Sequence, residues 1–135
     1  MIFVLDTSTI LSDADSMERL SAYHIVVPMT TLLELESKRT HREVGFPARK
    51  ALRWIEGLRS TGDITRGCPT SQGGSLRIFL EEPDLLLTND EKILSVAQNI
   101  HNAVLLTEDL PLRIRAELAG VKSSTLEEQT SSSHT

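Results

Sequence analysis

A chain of 135 residues with 39% hydrophobic and 4% aromatic content is sized for one domain whose core rests on aliphatic side chains. It holds one cysteine, Cys68, and no apolar run approaching the ~20 residues that cross a bilayer, and Asp6 interrupts the apolar opening too early for a secretion signal; these features exclude a disulfide scaffold and predict a soluble cytoplasmic domain. The net charge of −5 is unevenly spread: from Lys38 to Arg59, seven basic residues face two acids, a local +5 within an otherwise acidic chain.

In chain order, Ile2 to Leu5 reads as a buried strand that ends at Asp6-Thr7-Ser8. Ser12 to Asp15 offers caps for a helix reaching about Tyr23, and Ile25 to Val27 predicts a second strand stopped by Pro28. Thr30 to Lys38 predicts a helix with Thr31 and Glu34 at capping-box spacing. After a basic stretch, Pro47 suits a helix first turn, and Ala48, Ala51, Leu52, Ile55 and Leu58 then share one face. Thr61 to Gly74, rich in Gly, reads as the least ordered part. Leu76 to Leu80 alternates like a half-buried strand, with Ile64 to Arg66 as a candidate hairpin arm. Thr88 and Glu91 form a second capping box at a helix start. Ala103 to Leu106 predicts the last strand, and Leu110 to Ala119 a helix stopped by Gly120. Residues 1–121 thus read as one domain, and residues 122–135, dominated by Ser, Thr, Glu and Gln, as a disordered tail. Strands alternating with helices predict an α/β fold with a parallel sheet covered on both faces.

Four carboxylates, Asp6, Glu34, Asp90 and Asp109, stand where apolar runs meet a turn or a helix start. Ligand sites of open parallel sheets lie outside the carboxyl ends of the strands, so these acids are candidates for an oxygen-only site suited to Mg²⁺ or Mn²⁺. Each has a plainer reading. Asp6 and Asp109 could cap helices, Glu34 could close the box with Thr31, and Asp90 could answer a helix dipole. Glu36 competes with Glu34. A basic strip of Lys38, Arg39, Arg42, Arg49, Lys50 and Arg53 is a candidate for holding a phosphate backbone, the alternative being a solvated helix face. Phe46 is a better candidate than Trp54 for stacking on a base, Trp54 being expected against the core edge. His24, His41, His101 and His134 show no zinc spacing, and Cys68 no nucleophile context.

Asp6-Thr7-Ser8-Thr9-Ile10-Leu11, Glu34-Leu35-Glu36-Ser37-Lys38, Asn89-Asp90-Glu91-Lys92-Ile93-Leu94 and Leu106-Thr107-Glu108-Asp109, in that order, resemble the four successive motifs of PIN domains. Glu34 to Arg39 and Asp109 to Arg113 look most like the PIN domain fused to PhoH-like ATPases in bacteria, with VapC-type toxins of toxin–antitoxin pairs more distant. The resemblance implies a PIN-like three-layer α/β/α fold and a metal-dependent ribonuclease acting on single-stranded RNA. It assigns Asp6, Glu34, Asp90 and Asp109 to the metal and catalysis, with Ser8 and Thr107 as polar neighbours behind them. The partners it implies are a second copy, an inhibitor protein or a PhoH-like ATPase domain. No Gly-x-x-x-x-Gly-Lys-Ser/Thr loop occurs in these residues, since Gly73-Gly74-Ser75 lacks the lysine, so they do not bind ATP by that route. A catalytically silent PIN domain that binds RNA or protein is the alternative function. An aspartyl-phosphate hydrolase fits poorly, because Ser8 stands where a second acid is wanted.

Overall fold

The apolar runs of the sequence become strands of one sheet, and the amphipathic runs become helices on its two faces. The computed structural model describes residues 1–81 and 84–131. In chain order these form β1 (Ile2–Leu5), α1 (Thr7–Leu11), α2 (Ser16–Arg19), β2 (His24–Pro28), α3 (Met29–Ser37), α4 (Gly45–Arg59), β3 (Cys68–Pro69), β4 (Ser75–Phe79), α5 (Asn89–Gln98), β5 (Ala103–Leu106), α6 (Leu110–Leu118), β6 (Lys122–Ser124) and α7 (Leu126–Ser131). The six strands lie in the order β3-β4-β2-β1-β5-β6. All neighbours are parallel except β3, which runs antiparallel to β4.

Alternation along the strands divides the core in two. Phe3, Leu5, Ile25, Val27, Leu76, Ile78 and Leu106 pack with Ile10 of α1, Met17 of α2, Leu35 of α3, Ala48, Ala51 and Ile55 of α4, and Leu126 of α7. On the opposite face Val4, Val26 and Leu105 meet Ile93, Val96 and Ala97 of α5, and Leu112 and Ala116 of α6. Helices therefore cover both faces, the three-layer α/β/α arrangement expected of near-continuous apolar strands. Trp54 packs at the edge of the first cluster, while Phe46 is exposed.

Tertiary contacts override several local expectations. The helix expected after Ser12 to Asp15 is α2, which ends at Arg19 rather than near Tyr23, and an unexpected helix, α1, starts directly after Asp6. The capping box at Thr31 and Glu34 does not form: the helix starts earlier, behind Pro28, and the Thr31 hydroxyl donates to the Leu5 carbonyl at 2.9 Å. The arm antiparallel to β4 is Cys68–Pro69 rather than residues 64–66, although the Ile64 carbonyl accepts from the Ile78 amide at 2.8 Å. The glycine-rich stretch is held down at its end, where the Gly74 amide donates to the Ser21 carbonyl and the Ser75 amide to the Tyr23 carbonyl, both at 3.1 Å.

The segment read as a disordered tail is instead an edge strand and a helix. β6 pairs with β5, the Ser124 carbonyl accepts from the Thr107 amide at 3.1 Å, and Leu126 is buried. Its polar composition suits a strand at the sheet margin, and one leucine suffices to anchor it. The remainder of that tail, His134 included, lies outside the described residues. Among the described residues, no helix is long and apolar enough to cross a membrane.

Candidate active site

The four acids enter from four elements. Asp6 follows β1, and its amide donates to the Leu106 carbonyl at 2.9 Å, which fixes it beside the end of β5. Its carboxylate is buried and does not cap α1. Oδ2 accepts from Ser8 Oγ at 2.6 Å and from Thr107 Oγ1 at 2.7 Å. Ser8 Oγ in turn accepts from the Glu108 amide at 2.9 Å, and Thr107 Oγ1 from the Asp109 amide at 3.1 Å. A hydroxyl carries one proton. With both protons committed to Asp6, the 3.2 Å approach of the two hydroxyls is contact without a shared proton.

Glu34 lies on α3, and its Oε1 accepts from Thr7 Oγ1 at 2.7 Å. Asp90 sits in the first turn of α5, behind a capping box in which the Thr88 hydroxyl accepts from the Glu91 amide and the Glu91 carboxylate from the Thr88 amide. Asp109 is the N-cap of α6, accepting from the Leu112 amide at 3.3 Å, so its structural reading holds as well.

Electrostatics links the other three acids to Asp90. The Asp90 carboxyl is pushed above its ordinary 3.8, first by burial and then by the negative charges of Asp6, Asp109 and Glu34, with Arg115 pulling the other way. Asp90 thus lies within the field of the other three carboxylates. Glu36 is excluded from the group: it is exposed and pairs with Arg39 at 3.2 Å.

Among the described residues, no group of three or more Asp, Glu, His or Cys side chains is arranged to hold a metal ion. The donors still match a hard divalent cation. Mg²⁺ keeps several of its waters and is usually held by one or two carboxylates, a demand that an all-oxygen cluster can meet without a closed cage. Asp6 and Asp90 would be the first candidates to hold such an ion, with Asp109 and Glu34 next.

The basic strip does not form one face. Arg39, Arg49 and Arg53 line a groove of about 670 Å³ with Arg59, floored by Leu32, Leu52 and Ile55. None of the four acids lines it. Lys50 turns away and pairs with Asp15. Lys38 follows the end of α3, and Arg42 is exposed in the turn before α4. His41 Nδ1 accepts the Glu43 and Val44 amides at 3.2 and 3.4 Å, a local structural role.

Two arginines on α6 escaped the sequence reading. Arg113 donates to the Thr107 carbonyl at 3.1 Å, and the charge of Arg115 reaches Asp90. Their signal was position: Arg113 lies one helical turn beyond Asp109.

A parallel sheet with helices on both faces and acids gathered at its strand ends defines a nuclease-type α/β fold. The PIN domain family model matches residues 3–127, and the chain belongs to that family. It is 37% identical over 134 residues to Protein PhoH2 of Thermobispora bispora, covering 90% of this chain and 30% of that protein. Protein PhoH2 of Mycolicibacterium smegmatis is 36% identical over 133 residues, with 88% and 30% covered. The chain therefore spans about a third of the length of these relatives, in agreement with the expected kinship to PhoH-linked PIN domains. Among solved structures, the PIN domain of human SMG5 superposes with a TM-score of 0.66 at 14% identity, covering 98% of this chain and 99% of that one. A PilT N-terminus domain protein from Sulfolobus solfataricus gives 0.60 at 21% identity, with 98% and 93% covered. At these identities the structural likeness speaks for the fold.

Proposed function

We propose that this domain is a divalent-metal-dependent endoribonuclease that hydrolyses phosphodiester bonds of single-stranded RNA. The observation that supports this reading is that Asp90 feels the negative charges of Asp6, Asp109 and Glu34, with Asp6 fixed beside the end of β5. Such repulsion costs stability unless a cation offsets it. Mg²⁺ or Mn²⁺ bound there would neutralise charge on the phosphodiester and make a water a better nucleophile.

The chain's own groups supply the rest. Asp6, held through Oδ2 by Ser8 and Thr107, would be one of the residues to hold the ion. Glu34, restrained by one hydrogen bond, orients the attacking water and takes its proton. The water oxygen bonds to phosphorus, a P–O ester bond breaks, and the leaving oxygen is protonated from solvent. Arg115 at the rim and the arginines of the groove hold flanking phosphates, which gives affinity without base preference. A PhoH-like ATPase segment is the partner that the longer relatives suggest.

Cleavage of a fluorogenic single-stranded RNA in EDTA, Mg²⁺ or Mn²⁺, beside Asp90→Asn, tests the proposal. Metal-dependent cleavage lost in the variant supports it. A folded parent that binds RNA without cutting it in either metal replaces it with a binding module.

A further inference from the structure

Helix α3 carries Glu34 yet begins without a cap of its own. It starts at Met29 directly behind Pro28, whose side chain offers no acceptor, and its first turn holds no acid. The opening amides of a helix need acceptors from outside it. Glu81, from the chain leaving β4, supplies them: Oε2 accepts from the Met29 amide at 3.1 Å and Oε1 from the Thr30 amide at 2.8 Å. The Thr30 hydroxyl donates to the same Oε1. Both carboxylate oxygens are thereby engaged, and a negative charge lies where the helix dipole favours one. Thr30 is buried, so water competes little for these bonds.

Glu81 also stands at the near end of the connection whose far end, Thr88, caps α5 immediately before Asp90. The observed tie joins the start of the helix that bears Glu34 to the chain leaving β4. Helices α3 and α5 approach one another although their buried faces lie on opposite sides of the sheet, and the axial position of α3 depends on bonds such as that of Thr31 to the Leu5 carbonyl. Bonds to the first amides of α3 also fix that axial position.

We infer that Glu81 is a positioning residue, one that sets the spacing of Glu34 from the rest of the site by tying the start of α3 to the chain leaving β4. It touches neither substrate nor ion. A plain capping role would lower stability alone, whereas a spacing role lowers turnover in protein that is fully folded. The catalytic half of the inference rests on the nuclease reading; the tie itself does not.

The test compares the parent with Glu81→Ala and Glu81→Gln, in the full chain, at a temperature where each is folded by circular dichroism. Two quantities are read: steady-state cleavage of a fluorogenic single-stranded RNA in Mn²⁺, and metal-free amide hydrogen exchange at Met29 and Thr30. For Glu81→Ala, kcat falls at least about 10-fold with KM within twofold, and exchange at both amides accelerates by about the same factor. Glu81→Gln, whose carboxamide oxygen still accepts an amide, recovers most of both. If Glu81→Ala does not fold, Thr30→Val removes only the hydroxyl leg and is expected to show the same changes at smaller size. A folded Glu81→Ala whose kcat stays within twofold of the parent overturns the spacing role. Unchanged exchange overturns the tie. Absence of cleavage by the parent overturns the nuclease reading and the catalytic half with it, leaving exchange to decide the tie.

Discussion

Asp90 is the residue at which the fold's electrostatic cost is concentrated. Its folded carboxyl binds a proton more tightly than an ordinary one, through burial and the neighbouring acids. A raised folded value favours folding below the unfolded 3.8 and costs stability as pH climbs through the folded value. In metal-free buffer at pH 7, Asp90→Asn is expected to raise Tm by about 2 °C, a modest gain because solvent screens a partly exposed carboxylate. The gain should vanish below pH 3.8, where the parent carboxyl is protonated in both states. Thermal melts across pH decide the point, and a gain independent of pH would locate the cost elsewhere. Thr107 makes the opposite case. It is fully buried, donates to Asp6 and accepts the Asp109 amide. Thr107→Val keeps the shape, orphans the Asp109 amide and removes one of the two donors to Asp6 Oδ2, so it should cost about 2 kcal/mol in urea unfolding.

At the scale of elements, how much of the fold could be read depended on where each element's partners lie. β1, β2, β5 and the helices α4, α5 and α6 announce themselves through their own periodicity and caps. The Thr88 and Glu91 box needs only residues in one turn, and it forms as read. α1, with Thr-Ser-Thr at its start, and β6, with Lys-Ser-Ser, carry no apolar period and are held by distant backbone. The cap of α3 comes from Glu81, more than fifty residues away, where no local pattern could point to it. The four acids were read as a set, and Asp109 shows why none was decisive alone: the carboxylate that caps α6 is the same one whose charge acts on Asp90. Gly74 was read only as loop. A Cβ there would stand 2.1 Å from the Tyr23 carbonyl and 2.6 Å from that of Ser21, backbone atoms that cannot turn aside. Gly74→Ala should therefore cost about 3 kcal/mol, by the loss of urea midpoint, through separation of β4 from the turn before β2.

For the whole molecule, the polar C-terminal segment belongs to the fold. Truncation after Val121 removes β6, strips the Thr107 amide of its acceptor and empties the place of Leu126. It should destabilise by about 3 kcal/mol or more, with loss of cleavage following from Thr107. A truncated chain as stable as the parent would restore the view of that segment as a tail.

The margins of the sheet set one more limit. β3 is two residues long and ends in Pro69, which has no amide to give; β6 is three residues long and begins with exposed Lys122. Short borders marked by proline and lysine are poor templates for a visiting strand. Association by strand exchange or fibril-like stacking is thus discouraged at both rims, and whatever binds this domain is steered toward its helical flanks or the mouth of the acid cluster.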